Sequence, residues 1–238
     1  SDGLPQNDLD LIRLLMNRGV DGVFLVVANE VSQDGKLVEE LEGLSIPFVL
    51  VDRVIEGLPC DKALFDHELG GYMATRHLLE RGHRRIACLV NAERSMTGRL
   101  RLAGYRRALT EAGISPDPAL EFESEYYIPS AYEASEGLMG TGATAVFASS
   151  DNIALGLLKR LYELGLRVPG DVSVVSYDNS AADALFEPAL TSIDQNVSEL
   201  STNALELMLG RLSDPSTPPE CRLLEPRLIV RESVSERP

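Results

Sequence analysis

The chain has 238 residues, 44% of them apolar and 25% charged, which is the composition of a soluble globular protein with one large or two ordinary domains. No apolar run approaches the roughly 20 residues that span a bilayer, so a membrane protein is excluded. The polar first ten residues do not resemble a signal peptide. The odd number and wide spacing of the three cysteines predict a reducing, cytoplasmic location. The net charge of −15, from 37 acidic and 22 basic residues, argues against non-specific binding of nucleic acid by this chain.

Amphipathic helices alternate with short apolar runs along most of the sequence. The first helix carries apolar residues at helical spacing, and Gly19 is expected to end it. The pattern then predicts a strand at residues 22–28, a helix through Leu37 and Leu41, strands at 47–51 and 63–65, a helix at 68–80 and a strand at 85–90. A helix at 99–111, a strand at 122–126, a helix at 130–139, a strand at 144–148, a helix at 152–163 and a strand at 172–176 follow.

These strands are apolar on both faces and alternate with helices, which predicts doubly wound parallel sheets in an α/β fold. The strands outnumber what one small sheet needs, so two α/β lobes are expected. The strand at 172–176 leads to Asp178, and the apolar residues 190–193 lead to Gln195. Because ligands bind at the carboxyl ends of strands in such sheets, these two side chains predict a small polar ligand.

Enzyme and metal motifs are absent from the sequence. It contains no nucleophile elbow, phosphate-binding loop, dinucleotide fingerprint or zinc-protease motif, so neither an enzyme nor a bound cofactor is expected. The three cysteines, Cys60, Cys88 and Cys221, are widely spaced and predict neither a metal site nor a disulfide framework.

Six segments resemble the lactose/galactose-repressor (LacI/GalR) family of transcriptional regulators. They are distributed along the chain in order: residues 77–87, which contain Gly-His-Arg-Arg-Ile-Ala, and residues 101–109, 150–156, 168–178, 188–195 and 225–234. The resemblance implies an effector-binding core with the fold of periplasmic sugar-binding proteins, in which two lobes close on a ligand and three strands cross between them. It places residues 1–92 and 195–220 in a dimerising N-terminal lobe, and residues 93–194 and 221–238 in a C-terminal lobe.

The same resemblance predicts that elements precede this sequence in relatives. Family members carry a helix-turn-helix and an opening strand, helix and strand ahead of the helix that contains Leu9. The first lobe is therefore expected to lack its opening elements, and operator DNA is expected to be contacted only through the helix-turn-helix.

The family pattern also singles out ligand-binding residues. Arg101 lies four residues after Thr97 on one predicted helix face, and its guanidinium offers a planar fork of donors, although by residue type alone it could be a surface arginine. Asp178 offers acceptors, or it could cap the next helix. For Asp151 a ligand contact and an N-cap are equally supported. The remaining candidates are Gln195 at a lobe crossing, Tyr127 as the aromatic platform in preference to Tyr126, and Arg53 next to Asp52.

These inferences predict the effector-binding and dimerisation domain of a bacterial repressor. The expected effector is a sugar or sugar derivative, with a purine second because some segments look like the purine-repressor branch of the family. The expected assembly is a homodimer without a membrane partner. The alternative is a periplasmic or surface solute-binding protein that serves sugar uptake or sensing.

Overall fold

The computed structural model describes residues 5–27 and 35–237 and divides the chain into two compact units. The smaller unit comprises residues up to Phe65 together with Asn196–Leu224, and the larger unit comprises Asp66–Gln195 and Glu225 onwards. The predicted alternation of helices and strands is confirmed across the described residues. Ala28, predicted as the end of the first strand, lies outside them.

The smaller unit is a parallel four-stranded sheet with helices on both faces. Its helices are α1 (Pro5–Asn17), α2 (Gly35–Glu42) and, later in the chain, α7 (Val197–Ser213). Its strands are β1 (Val23–Leu25), β2 (Phe48–Val51), β3 (Asp61–Phe65) and β9 (Cys221–Leu224), in the order β1-β2-β3-β9. The apolar face of α7, including Leu200 and Leu207, packs on Val49 and Ala63 of the sheet.

The larger unit is built on a six-stranded sheet in the order β10-β8-β7-β6-β4-β5. These strands are β4 (Ile86–Val90), β5 (Glu121–Glu123), β6 (Ala145–Ala148), β7 (Ser173–Asp178), β8 (Thr191–Asp194) and β10 (Arg227–Ile229). All neighbouring pairs are parallel except β10 with β8. Its helices are α3 (His67–Glu80), α4 (Met96–Glu111), α5 (Ile128–Leu138) and α6 (Asp151–Glu163).

Alternating side chains divide the core of the larger unit between the two faces of its sheet. Leu89 and Val146 point to the face covered by α5 and α6, where Leu138 and Leu157 are buried. Cys88, predicted as a small core residue, points with Phe147 to the face covered by α3 and α4. This period of two is what a strand buried on both faces requires.

The unit boundary differs from the predicted one. The sequence prediction placed residues 66–92 in the N-terminal lobe, whereas the structure assigns them to the larger unit because β4 pairs with β5 and β6 and α3 packs on α4. Residues 221–224 were predicted in the C-terminal lobe, but they form β9, which pairs with β3 in the smaller unit. The chain thus passes between the units at residues 65–66, 195–196 and 224–225. Only the first crossing is far from its predicted place after residue 92, because the other two lie within four residues of the predicted boundaries at 194–195 and 220–221.

Candidate functional site

Polar side chains gather at the carboxyl ends of β6, β7 and β8 in the larger unit, where Arg101 reaches them from α4. Ser95 caps the N-terminus of α4, and its hydroxyl accepts a hydrogen bond from the backbone N–H of Gly98. Helices α3 and α4 approach so closely that a Cβ at Gly71 would lie 2.1 Å from the backbone oxygen of Arg101. This contact fixes the backbone from which the arginine side chain projects.

Arg101 is almost completely enclosed by protein, with 4% of the residue exposed. Its guanidinium carbon lies 3.7 Å from the centre of the Tyr177 ring, a cation–π stack. Nη1 donates to the backbone oxygen of Ser149, which directly follows β6, and the Nε side faces Nδ1 of His67. The interpretation of Arg101 as a surface arginine is therefore wrong.

Asp178 ends β7 in a backbone conformation that is uncommon for a residue with a side chain. Its φ of +93° and the φ of +53° at Asn179 turn the chain sharply out of the sheet. One carboxylate oxygen accepts the side-chain amide of Gln195 at 2.5 Å, and the other faces the backbone N–H of Asp151 at 3.4 Å. The sequence prediction that Asp178 and Gln195 meet at neighbouring strand ends is confirmed.

Arg101 and Asp178 lie close to each other but do not form a direct hydrogen bond. Nη1 of Arg101 lies 3.7 Å from the nearer carboxylate oxygen, beyond ordinary hydrogen-bond length. The Asp178 side chain is 39% exposed, so the carboxylate remains accessible from solvent. Loss of hydration raises the pKa of Asp178, and the positive charge of Arg101 opposes that shift.

Asp151 supports the loop after Asp178 instead of capping its own helix. The cap of α6 is Ser150, whose hydroxyl accepts the backbone N–H of Ile153. The buried Asp151 carboxylate accepts the Ser176 hydroxyl and the backbone N–H of Ser180, both at 2.8 Å. The N-cap interpretation of Asp151 is wrong, and its carboxylate already has partners within the protein.

A second carboxylate, Asp183, lies in the same loop with its side chain fully buried. Neither of its carboxylate oxygens has a hydrogen bond of ordinary length among the described residues, although the side chains of Ser192 and Asp151 are polar neighbours. Burial raises the pKa of Asp183 to about 7, and the nearby charge of Asp151 adds to that effect. The sequence analysis did not single out this residue, because burial of an acid cannot be read from its position in a loop.

Thr97 lies one helical turn before Arg101, as predicted, but it is 99% buried. Its hydroxyl pairs with the Ser95 hydroxyl at 3.0 Å, and the Tyr126 hydroxyl donates to Ser95 at 3.3 Å. These groups link the first turn of α4 to the segment after β5.

Of the two tyrosines considered as the platform, Tyr126 lies beside Arg101, with its ring centre 6.0 Å from the guanidinium carbon. Tyr127, the predicted platform, is 50% exposed. The prediction assumed strand alternation across both residues, whereas β5 ends at Glu123 and α5 begins at Ile128. Of these two tyrosines, Tyr126 and not Tyr127 is therefore the one whose ring lies beside the arginine.

Arg53 follows β2 in the smaller unit and forms an ion pair with the adjacent Asp52, whose φ is +56°. Its Nη1 also donates to the backbone oxygen of Asp52 at 2.7 Å. The described contacts of Arg53 thus lie within its own loop.

The chemistry of this cluster is that of binding. It combines a fixed guanidinium, a solvent-accessible carboxylate, an amide and an aromatic ring, which together offer hydrogen bonds and an apolar face to a small polar molecule. Among the described residues, no group of histidine, cysteine or acidic side chains could hold a metal ion, and Cys60, Cys88 and Cys221 are free thiols. No helix in the described part of the chain has the length and apolarity to cross a membrane.

Comparisons with known proteins show the family and the fold of this chain. Residues 75–234 match the family described as periplasmic binding protein-like domain. The "HTH-type transcriptional repressor PurR" of Vibrio atlanticus (strain LGP32) is 36% identical over 239 residues, an alignment that covers 98% of this chain and 70% of the repressor.

Two solved structures show the same fold with a bound sugar. A LacI family transcriptional regulator from Enterococcus faecium with bound ribose has a TM-score of 0.85 and 30% identity, covering 94% of this chain and 83% of the regulator. The complex of the transcriptional regulator CelR with cellobiose has a TM-score of 0.85 and 34% identity, covering 95% and 69%. These similar proteins are regulators and not enzymes, in agreement with the absence of enzyme motifs.

Proposed function

Because this chain belongs to the LacI/GalR family of transcriptional regulators, as a periplasmic-binding-protein-like effector-binding core, we propose that the Arg101–Asp178 cluster binds its effector. The observation that carries the proposal is the 3.7 Å separation of the two charges. Both groups are held by neighbouring residues but do not hydrogen-bond to each other, so a ligand hydroxyl can bridge them by donating to Asp178 and accepting from Arg101. Asp178, Gln195 and Arg101 provide polar contacts, and Tyr126 provides the apolar surface.

We propose a sugar or sugar derivative as the effector. Vicinal hydroxyls match a guanidinium fork beside a carboxylate, and two similar regulators hold ribose and cellobiose. A purine is the second candidate, since a repressor named PurR is 36% identical and an aromatic ring beside an arginine suits a planar heterocycle. Thr97, Asp151, Tyr127 and Arg53 remain proposed contacts of secondary weight.

Native mass spectrometry of the purified protein, followed by calorimetric titration with D-ribose, cellobiose, hypoxanthine and guanine, tests this proposal. We expect one sugar to bind, and Arg101→Met to abolish that binding while the fold is retained. Binding of a purine alone would reassign the effector class. Binding that survives both Arg101→Met and Asp178→Asn would place the effector elsewhere.

We further propose that effector binding changes the affinity of the full-length regulator for operator DNA. The coupling free energy between such sites is typically about 1–3 kcal/mol. With a net charge of −15 this core would repel DNA, so a helix-turn-helix of the full-length protein would contact the operator. An operator-binding assay with and without effector distinguishes this role from the alternative of a periplasmic solute-binding protein.

A homodimer acting in the cytoplasm is the proposed assembly. The larger unit carries an apolar cavity of about 510 Å³, lined in part by Leu155, Leu158 and Phe186. Tyr162, also in its lining, is 80% exposed, and exposed apolar patches of this kind mark contact surfaces. Sedimentation equilibrium should give twice the chain mass for the wild type. Phe186→Glu should give a monomer if the dimer uses this surface of the larger unit, and a dimer if it uses the N-terminal lobe predicted from the sequence.

A further inference from the structure

His67 is a buried histidine that the proposed site has not yet used. It is the first residue of α3 and is 3% exposed. Its Nδ1 lies 3.4 Å from Nε and 3.3 Å from Nη2 of Arg101, and 3.4 Å from the Tyr177 hydroxyl. The ring therefore contacts both the arginine and the tyrosine on which that arginine stacks.

The chemistry of the guanidinium determines the state of this histidine. A guanidinium has five N–H donors and no acceptor, so the Nδ1 that faces it must carry a lone pair. The imidazole is then neutral, with its proton on Nε2. A histidine protonated on both nitrogens would instead direct an N–H at the guanidinium and bring two positive charges together.

This contact restricts how the guanidinium can turn. Stacking on Tyr177 fixes the plane of the guanidinium but leaves rotation within that plane. His67 holds the Nε edge, and the backbone oxygen of Ser149 holds Nη1. The two acceptors together define which N–H groups face Asp178.

We propose that His67 is a positioning residue for Arg101, and that the neutral imidazole is required for this role. The inference rests on the proposed function, because it assigns to Arg101 the contact with effector. It adds a specific consequence: the orientation of the arginine depends on pH, through a residue that does not itself contact the effector.

The start of α3 is rigid enough for this role. Asp66 caps the helix by accepting the backbone N–H of Leu69 at 2.8 Å. A Cβ at Gly70 would lie 2.3 Å from the Tyr177 hydroxyl, so the helix backbone lies directly against that ring. His67 is thus fixed at both its backbone and its ring.

Other charged groups occur on the elements that pack against α3, and they bear on the pH dependence. Arg101 contacts the ring directly, and on α3 itself Asp66 and Glu68 flank it, the latter paired with Arg107 of α4. The remaining elements contribute charged groups at their strand ends: Asp178 on β7, Asp194 on β8 and Arg227 on β10. The cation nearest to His67 in the described contacts is therefore Arg101, whose charge disfavours a second proton on the ring.

The test uses the full chain with ¹⁵N labelling and no effector. We expect the ¹⁵N chemical shifts of the His67 ring at pH 8 to show an unprotonated Nδ1 and a protonated Nε2, and the Arg101 Nε–H to exchange slowly with water. In His67→Leu, which lacks the acceptor, that exchange should accelerate by about tenfold. In His67→Asn, whose amide oxygen occupies nearly the position of Nδ1, slow exchange should be restored. Its protection, taken relative to the base-catalysed exchange of an exposed arginine at the same pH, should no longer change between pH 5 and 8.

His83→Asn is the matched control, because His83 is equally buried but pairs with Thr144 and the backbone oxygen of Ser235. It should leave the Arg101 signal unchanged. A protonated Nδ1 in the wild type at pH 8, or an Arg101 signal in His67→Leu identical to that of the wild type, would overturn the proposal. Failure of His67→Asn to restore slow exchange if His67→Leu has lost it would also overturn it.

D-Ribose titration of the same variants separates this inference from the proposed function. If ribose binds, His67→Leu should weaken binding by about tenfold and His67→Asn should not. If ribose does not bind the wild type while the Arg101 signals behave as expected, the positioning role stands and the choice of that sugar fails.

Discussion

Each unit of this protein holds an arginine beside an aspartate, and the two pairs differ in whether the two side chains hydrogen-bond directly to each other. In the smaller unit, Arg211 meets Asp61 with two contacts of 2.8 and 3.0 Å, and Asp61 also accepts the backbone N–H of Glu220 at 2.8 Å. In the larger unit, Arg101 and Asp178 stay 3.7 Å apart.

The difference follows from the surroundings of each carboxylate. Asp61 is 4% exposed, and its two oxygens are occupied by protein donors, so the pair stabilises α7 against β3. The paired carboxylate in turn raises the pKa of Arg211. The Asp178 carboxylate is 39% exposed and its charge is not neutralised by a direct contact. A closed pair serves stability, whereas an open pair is available to a ligand.

Arg101→Met should have the largest effect on binding. The methionine keeps apolar contact with the Tyr177 ring but removes every donor, so effector affinity should fall by about a hundredfold or more. Calorimetric titration measures the loss. Urea unfolding should show a retained fold with a free energy of unfolding lower by about 1–2 kcal/mol, because the buried backbone oxygen of Ser149 loses its donor. A variant that binds normally would contradict the distinction between the two pairs.

Arg211→Met makes the same chemical change in the closed pair and should have the opposite result. It leaves the buried Asp61 without its cation, and the free energy of unfolding should fall by about 2 kcal/mol, reduced from the value for a fully buried pair because Arg211 is 16% exposed. Urea unfolding measures this loss. Effector affinity, determined below the unfolding transition, should match that of the wild type.

Asp183→Asn tests a buried carboxylate for which the positive charge of Arg231 offsets the effect of burial only in part. Its raised pKa, about 7 in the folded state, means that the folded protein holds one proton more than the unfolded chain between about pH 4 and 7. Stability should therefore fall as pH rises through that window. The amide should remove this dependence and stabilise the protein at pH 8 by about 1–2 kcal/mol.

Urea unfolding at pH 5 and pH 8 gives the measurement for this variant. The quantity to compare is the loss of stability between the two pH values, which should be smaller in Asp183→Asn than in the wild type. Equal losses in the two proteins would show that Asp183 is ionised in the fold.

The smallest expected change in effector affinity is the difference between Tyr126→Leu and Tyr127→Leu. Because the Tyr126 ring lies beside Arg101 and its hydroxyl donates to Ser95, its loss should weaken effector binding by a few-fold, about 1 kcal/mol. The exposed Tyr127 should be replaceable without a measurable change. The reverse order in a titration would favour Tyr127, the original sequence prediction.

The sequence predicted the order of elements well because hydrophobic periodicity is a local property. It placed the boundary between the units poorly, since strand pairing is not local. Residues 86–90 could extend either sheet by composition, and only their pairing with β5 and β6 assigns them to the larger unit. Cys221 in β9 was misplaced for the same reason.

Arg101, Asp178 and Gln195 were predictable because they follow from strand ends and a family motif. His67 and Tyr177 were missed as partners of Arg101, because a histidine at a helix start and an aromatic residue in a buried strand look structural in sequence. The only available signal was the Gly70–Gly71 pair, which indicates that something large lies against that helix.

The close approach of α3 and α4 limits how this site can change over evolution or by design. A Cβ at Gly71 or at Gly104 would lie about 2 Å from the backbone of the facing helix, 2.1 Å from Arg101 in one case and 2.0 Å from Glu68 in the other. Substitution on this face would displace the arginine and not merely adjust it. New specificities should therefore arise through the segments at residues 124–128 and 178–180, while the helix pair is inherited as an unchanged unit.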